Sequence, residues 1–259
     1  MQDFIHNYWE NQAISHGDSH EASWGDKYMI ELEIETIGSE IPVDSTVLDI
    51  GCANGHATFR QLEQRKPRKI VGIDFAPSMI EIAIKSKNKM GLGDEIEFQV
   101  GDVRNIEQFS DHVFDMVYTT RVIINLPSWE QQQKGIMECL RVTKPGGTVI
   151  LSEAFWEPLQ LLNALRLIKQ LPPLEEHDFN RYMKKEKLER FLSSHGLNYR
   201  CEEFSSIYYL GSRFLRELVT DVSAYPGYSN PINKDFFELE NRFSGGGFGI
   251  QQAYIIEKS

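Results

Sequence analysis

From residue 47 onward, short β-branched runs alternate with helix-like segments, and this alternation restricts the fold more than any other feature of the chain. "TVLDI" is followed by "HATFRQLEQR", "KIVGIDF" by "PSMIEIAIKSKNKM", and "FDMVYTT" by "SWEQQQKGIMECLRVT". Ser78 and Ser128, each directly after a proline, have the capping-box spacing to Glu81 and Gln131 and predict helix starts. Strands that alternate with helices form βαβ units. The sequence therefore predicts an α/β fold, with a mostly parallel sheet and helices on both faces.

The first predicted strand ends in "LDIGCANG", where small residues occupy positions 51, 53 and 55. A dinucleotide turn of the Rossmann type needs glycines at positions 53 and 56, where this chain has Ala53 and His56. Asp49 lies just before the turn, and its negative charge repels a pyrophosphate but suits a ligand with an ammonium group. The turn therefore favours a cofactor with a cationic end and disfavours NAD.

Five segments between residues 47 and 154 occur in a set order: "LDIGCANG", "VGIDFAPSMI", "VGDV", "FDMVYTTRVI" and "ECLRVTKPGGTVILSE". Together they resemble the motifs of class I S-adenosylmethionine-dependent methyltransferases, although Ala53 replaces the usual glycine. The resemblance implies a doubly wound, Rossmann-like sheet of seven strands in the order 3-2-1-4-5-7-6, with the last strand antiparallel. It also implies S-adenosyl-L-methionine as cofactor and S-adenosyl-L-homocysteine as product.

The resemblance places the cofactor in loops at the carboxyl ends of the strands, where ligands of open α/β sheets bind. Asp74 is expected to accept the ribose hydroxyls, Phe75 to pack on the adenine, and Asp102 to accept from the adenine amino group. The alternatives are a turn or cap role for each aspartate and a core role for Phe75. The full predicted cofactor set is Asp49, Gly51, Cys52, Ala53, Gly55, Asp74, Phe75, Met79, Asp102, Val103 and Thr119.

The methyl acceptor is expected to meet residues outside the common core. The predicted catalytic residues are His16, His20, Arg121 and Glu153, and the predicted substrate residues are Tyr8, Trp9, Trp24, Asn125, His177 and Tyr209. A histidine or Glu153 would serve as a base or hydrogen-bonding group, and Arg121 would clamp an anionic group; surface, capping and salt-bridge roles are the alternatives. His16 and His20 have HxxxH spacing, but Gly17 disfavours a helix there and no third ligand is evident, so no metal site is predicted.

The acceptor class follows from charge and from a missing motif. The net charge of −11 disfavours a nucleic-acid partner, which normally meets a basic stripe. The segment "TTRVIINLPSW" also lacks the Asn/Asp-Pro-Pro-aromatic motif typical of enzymes that methylate base amines. We therefore expect methyl transfer to an oxygen or nitrogen of a small metabolite. The alternatives are an NAD-type oxidoreductase and a non-catalytic S-adenosylmethionine-binding protein.

Two parts of the chain lie outside the βα alternation. Residues 1–45 contain the amphipathic segment "WGDKYMIELEIETI" and are predicted to form a helical lid, while residues 46–259 form the methyltransferase domain. Insertions at about 155–185 and 211–247, rich in aromatic residues and prolines, are predicted to form a cap. The three cysteines lack CxxC spacing, and we find neither a signal peptide nor a long apolar run, so a cytoplasmic protein without a membrane partner is expected.

Overall fold

The structure is a computed structural model that describes residues 2–259, so Met1 of the predicted lid lies outside the described residues. Its single sheet has the strand order β3-β2-β1-β4-β5-β7-β6. Neighbouring strands from β3 to β5 run parallel, and β7 is antiparallel to both β5 and β6. The predicted order and the antiparallel last strand are confirmed. The strands are β1 (Thr46–Ile50), β2 (Lys69–Asp74), β3 (Ile96–Val100), β4 (Phe114–Thr120), β5 (Thr143–Ala154), β6 (Asn198–Glu202) and β7 (Gln251–Glu257).

Ten α-helices occur within residues 2–259. They are α1 (Gln2–His16), α2 (Lys27–Ser39), α3 (His56–Arg65), α4 (Pro77–Met90), α5 (Trp129–Val142), α6 (Trp156–Ile168), α7 (Lys185–Ser194), α8 (Ser206–Leu210), α9 (Arg216–Val219) and α10 (Asn233–Glu240). A π-helical turn at Gly211–Leu215 joins α8 to α9, and a short 3-10 helix at Ile123–Asn125 follows β4. None of these helices is long and apolar enough to cross a lipid bilayer.

The two predicted helix caps have different outcomes. The Ser128 hydroxyl accepts a hydrogen bond from the Gln131 amide at the start of α5, 3.4 Å away, as predicted. The cap predicted at Ser78 is wrong, because α4 begins one residue earlier at Pro77. The Ser78 hydroxyl donates instead to the Glu10 carboxylate of α1, which also accepts from the Ser78 amide at 3.2 Å. A side chain predicted to cap its own helix therefore binds the N-terminal helix.

The central strands are apolar because both faces of the sheet are covered. Every residue of β1 and β2 after the first is buried, which is typical of parallel strands between helix layers. The edge strand β3 instead alternates buried and partly exposed positions before its exposed end. Helix α2 is attached to this core by an ion pair, since Arg60 of α3 donates to both carboxylate oxygens of Glu31 in α2, each at 2.8 Å. The carboxyl ends of the strands and α2 are therefore held in one arrangement around the site.

The π-helical turn of the cap depends on close packing at Gly211. A Cβ atom placed there would lie 2.2 Å from the Phe236 ring of α10, although the glycine itself has an ordinary right-handed φ of −64°. We expect Gly211→Ala to lower the free energy of unfolding by about 1–3 kcal/mol through overpacking. Urea denaturation measures this loss. Gly196→Ala is the control, because its added Cβ meets no atom within 4 Å. Gly196 has a φ of +67°, so this variant should lose about 1–2 kcal/mol of unfolding free energy from backbone strain alone. A neutral effect of Gly211→Ala would show that α10 can move away.

Candidate active site

A cleft opens at the carboxyl ends of β1, β2 and β4, beneath α1 and beside α2. Many of the residues predicted from sequence meet there. Those lining the cleft are Trp9, Asp49, Gly51, Cys52, Ala53, Asp74, Phe75, Asp102, Val103, Arg121 and Asn125. Those outside the lining are Tyr8, His16, His20, Trp24, Gly55, Met79, Thr119, Glu153, His177 and Tyr209. The roles predicted for both groups remain predictions.

The turn after β1 is left-handed at three positions. Gly51, Ala53 and Gly55 have φ values of +80°, +47° and +84°. A Cβ on Gly51 would lie 2.1 Å from Val122, and one on Gly55 would lie 2.9 Å from Phe98. Glycine is therefore needed at both positions, because the φ values are positive and neighbouring side chains leave no room for a Cβ. The left-handed turn also brings its backbone to the cleft.

Asp74 is held at the end of β2 with hydrogen-bonding capacity to spare. One carboxylate oxygen accepts from the Ala53 amide at 3.0 Å, and the other accepts from the Ala76 amide at 2.9 Å. Each oxygen of a carboxylate has room for a second donor. Burial raises the pKa of Asp74 to about 6, and these backbone bonds oppose the rise. The carboxyl is thus fixed on the cleft wall with two acceptor positions free for hydroxyl donors.

Asp49 is a buried carboxyl in the floor of the cleft. It accepts from the Thr58 hydroxyl of α3 at 2.7 Å. Burial raises the pKa of Asp49 to about 6, against the hydrogen bond from Thr58. A cationic group placed beside Asp49 would restore its ionised form. Cys52, on the same floor, has a pKa raised well above its usual value by burial and by Asp49, so its thiol is unreactive.

Asp102 is engaged by a neighbouring arginine. Its carboxylate accepts from the Arg104 backbone amide and from the Arg104 Nε, both at 2.9 Å. Burial acts to raise the pKa of Asp102, but the hydrogen bonds from Arg104 prevail and lower it. A role toward the adenine amino group therefore requires Asp102 to share its oxygens with Arg104.

The N-terminal segment is tied directly to the glycine turn. Asn54, inside the "GCANG" motif, donates from Nδ2 to the carbonyl oxygens of Gly17 at 2.9 Å and Ser19 at 2.7 Å. Near the start of α1, the His6 ring packs edge-on against the Phe75 ring, with ring centroids 5.8 Å apart. Helix α1 thus covers the half of the cleft that contains Asp74 and Phe75.

Arg121 follows β4 in the left-handed conformation, with a φ of +56°. Its guanidinium forms an ion pair with Glu33 of α2, which is 2% exposed, and lies 4.7 Å from the centre of the Trp24 ring. Glu33 also accepts from the Ser152 hydroxyl at 3.2 Å and the Gln251 side chain at 3.0 Å. Burial raises the pKa of Glu33, and Arg121 opposes this. An anion clamp at Arg121 would have to compete with a carboxylate already in place.

Glu153 faces the loop after β4. It accepts from the Thr119 hydroxyl at 2.7 Å and from the backbone amides of Val122, Ile123 and Ile124 at 3.1, 3.1 and 3.2 Å. Burial raises the pKa of Glu153 to about 7, and these four bonds oppose the rise. The contacts favour the capping alternative over a base, because its oxygens are occupied in holding the loop.

The aromatic residues predicted for the substrate fall into two groups. Tyr8 and Trp9 of α1 and His177 of the insertion surround Phe179, with ring centroids 4.9, 6.2 and 5.6 Å from it. This first group fastens α1 to the cap. The second group lies around Arg213, whose guanidinium is 5.2 Å from the Tyr209 ring centre.

Arg213 joins the cap to the start of α2. It lies 4.9 Å from the ring centre of Tyr228 and donates to the fully buried carboxylate of Asp26 at 2.6 Å. The Tyr228 hydroxyl also accepts from the Trp24 indole at 3.0 Å. A continuous row of rings and guanidinium groups therefore runs from the cap to Arg121.

The histidines predicted as catalytic lie beside the cleft rather than in its lining. His16 ends α1 and pairs with Glu21 at 3.5 Å, and Gly17 breaks the helix with a φ of +55°. The His20 ring is 5.9 Å from His56, which does line the cleft. Burial and His20 lower the pKa of His56, so its imidazole is neutral at neutral pH. Among the side chains that the structure describes, residues 4–259, there is no group of three or more His, Cys, Asp or Glu placed to hold a metal ion.

Several residues that shape the site were not singled out in the sequence. They are Asp26, Glu33, Asn54, His56, Phe179 and Tyr228. Asn54 and His56 adjoin the motif turn and could have been found there. Asp26 and Glu33 belong to the amphipathic segment, where a charge usually marks the solvent face of a helix.

Comparison with known proteins agrees with this geometry. A family model described as a methyltransferase domain matches residues 42–196. Erythromycin 3''-O-methyltransferase of Saccharopolyspora erythraea is 32% identical over 115 residues, which cover 44% of this chain and 36% of that protein. The matched region thus spans about a third of this relative.

Two solved structures resemble nearly the whole chain. Geranyl diphosphate C-methyltransferase from Streptomyces coelicolor superposes with a TM-score of 0.62 and 13% identity, covering 99% of this chain and 97% of the other. A methyltransferase from a complex with the Haloferax volcanii Trm112 activator has a TM-score of 0.62 and 16% identity, covering 96% of each chain. At these identities the likeness concerns the fold.

The chain belongs to the methyltransferase-domain family. Within it, the chain is recognised as a class I S-adenosylmethionine-dependent methyltransferase, and this assignment argues against the NAD-type oxidoreductase. The described residues fit the cofactor. Asp74 retains two acceptor positions, Asp49 is a buried carboxyl that lacks a cationic partner among the described side chains, and the left-handed turn brings backbone to the cleft.

The raised pKa values predict pH-dependent cofactor binding. Asp49 and Asp74 have pKa values of about 6, and a cationic ligand favours ionised carboxyls. Cofactor affinity should therefore fall as the pH drops through about 6, by up to about tenfold per pH unit for each carboxyl that must lose a proton. Calorimetric titration between pH 5 and 7 measures the slope.

Asp49→Asn should weaken binding at neutral pH and reduce the slope, because one ionisation is removed. Asp115→Asn, which alters a partly exposed carboxylate paired with Lys144 at 2.6 Å outside the cleft, is the control. Equal slopes in the wild-type protein and Asp49→Asn would contradict a role for Asp49 in this dependence.

The tie between Asn54 and the N-terminal segment gives a separate test. Asn54→Ala removes both bonds to Gly17 and Ser19, so we expect cofactor affinity to fall by about tenfold and α1 to open more often. Hydrogen exchange of α1 and calorimetry measure the two effects. Unchanged exchange in α1 would show that its other contacts are sufficient.

Proposed function

We propose that this methyltransferase acts on an oxygen or nitrogen of a small, uncharged, amphiphilic metabolite. The observation that carries the proposal is the composition of the cleft lining beyond the glycine turn, which combines the apolar side chains of Ile30, Leu126 and Pro127 with the amide of Asn125. A mostly apolar wall with a few oriented polar groups is typical of sites for small molecules. The cofactor supplies an electrophilic methyl group, and these residues would bind and orient the acceptor.

The charges of the lining favour an acceptor without net charge. The two arginines among the described lining residues are paired, Arg121 with Glu33 and Arg104 with Asp102. An anionic acceptor would have to displace a carboxylate, which leaves a buried charge unpaired. The proposal therefore differs from the anion-clamp role predicted for Arg121 from the sequence, which stays a prediction.

The cover of the cleft supports a small acceptor. Helix α1 is held by Asn54 and Glu10, and the cap meets α1 through Phe179. A polynucleotide would have to displace this cover and would meet a chain of net charge −11. We retain the proposed division of the chain into a lid of residues 1–45 and a methyltransferase domain of residues 46–259.

The names of the similar proteins cover more than one acceptor chemistry, since one is an O-methyltransferase and another a C-methyltransferase. The structure from the Trm112 complex resembles this chain in fold, and an activator subunit is not part of the proposal. The acceptor is proposed from the cleft of this chain.

The test is a screen for the methylated product. The purified protein is incubated with S-adenosylmethionine carrying an isotopically labelled methyl group and a deproteinised small-molecule extract. Mass spectrometry finds the labelled product, and NMR identifies the atom that bears the methyl group. A label on the oxygen or nitrogen of an uncharged molecule supports the proposal. A label on carbon, or on added RNA or DNA in a parallel incubation, contradicts it.

A further inference from the structure

Asn125, a residue of the cleft lining, has a buried hydrogen-bond acceptor without a partner. It is the last residue of the 3-10 helix Ile123–Asn125 and lines the cleft beside Arg121. Its side-chain Nδ2 donates to the backbone carbonyl of Arg121. Its Oδ1 is buried and has no hydrogen-bond partner among the described atoms of the protein. Buried acceptors are rarely left without a donor, so this atom calls for a physical explanation.

The orientation of the Asn125 amide is determined by its neighbours. Exchanging Oδ1 and Nδ2 would place an oxygen against the Arg121 carbonyl oxygen and lose the existing bond. The Arg121 backbone is itself held, because its amide donates to the Ser152 carbonyl at 2.8 Å and its side chain pairs with Glu33. Oδ1 therefore has a defined direction before any ligand binds.

Two other cleft-lining side chains have a buried oxygen without a partner, and both differ from Asn125 in position. Gln61 lies between α3 and α2, where its amide nitrogen donates to the Ile34 carbonyl at 2.7 Å. Tyr118 is paired in register with Asp49, on the floor of the cleft. Asn125 instead adjoins Leu126 and Pro127, on the wall assigned above to the acceptor.

We propose that Asn125 Oδ1 accepts a hydrogen bond from the reacting hydroxyl or amine of the acceptor and so determines which acceptors are used. This inference rests on the proposed function and narrows it, since the acceptor must bring an O–H or N–H to the position of Asn125. A carbon acceptor without such a donor leaves Oδ1 unsatisfied and is disfavoured. Sites that hydrogen-bond a substrate group discriminate strongly against analogues that lack it.

The proposed bond also distinguishes substrate from product. Methylation of a hydroxyl forms an oxygen–carbon bond in place of the oxygen–hydrogen bond, the electron pair of the broken sulfur–carbon bond stays on sulfur, and the proton passes to solvent. The resulting ether has no hydrogen for Asn125. A hydroxyl acceptor is thus bound more tightly than its methylated product through this one residue.

The test compares Asn125→Ala with the wild-type protein, using the acceptor found by the labelled-methyl screen. We expect kcat/KM for the acceptor to fall by about 10- to 100-fold, while cofactor affinity changes less than about threefold. Calorimetry of the acceptor in the presence of S-adenosylhomocysteine gives a binding measurement independent of turnover. Asn163→Ala is the matched control, because Asn163 is outside the cleft and both ends of its amide are bonded to Leu174, at 2.9 and 2.7 Å.

Each outcome separates this inference from the proposed function. An oxygen- or nitrogen-methylated product with unchanged kcat/KM in Asn125→Ala overturns the inference and leaves the proposed function in place. A parallel loss of cofactor affinity also overturns it, because Asn125 would then serve the cofactor. A carbon-methylated product from the wild-type protein overturns the proposed function itself. Thermal unfolding of each variant distinguishes a lost contact from a lost fold.

Discussion

The buried carboxylate of Glu33 joins four parts of the molecule that the chain order keeps far apart. From α2 it pairs with Arg121 after β4, and it accepts from Ser152 of β5 and Gln251 of β7. Removing one partner of such a buried pair costs about 3–5 kcal/mol, because the other charge is left uncompensated. Glu33, together with Glu153, therefore holds the loop beyond β4, which carries part of the wall proposed to face the acceptor.

Much of the cofactor half of the site could be predicted from sequence because its geometry is local. Asp74 ends β2 and Asp49 lies one residue before the end of β1, and parallel strands bring their carboxyl ends together at one sheet edge. Alternation predicted the α/β class and the family motifs supplied the strand order, which the structure confirms. The turn around Gly51 was also visible, as a run of small residues after an apolar strand, although its left-handed backbone was not predicted.

The acceptor half was harder to predict because its contacts join distant positions. Glu33 and Arg121 are 88 residues apart, and Asp26 and Arg213 are 187 apart. Ser78 had the spacing of a helix cap, yet its hydroxyl reaches Glu10 in another helix. Local spacing can indicate that a side chain is able to cap, pair or clamp, but the tertiary partner decides which of these it does.

The two buried carboxylates that neutralise Arg121 and Arg213 belong to one short segment. Asp26 is the N-cap of α2 and Glu33 lies in its second turn, while Arg213 belongs to the cap and Arg121 to the sheet. A chimera that kept this α2 but whose cap or sheet lacked the matching arginine would enclose an unmatched carboxylate. Helix α2 therefore limits which caps and which β4 loops can be combined in one molecule.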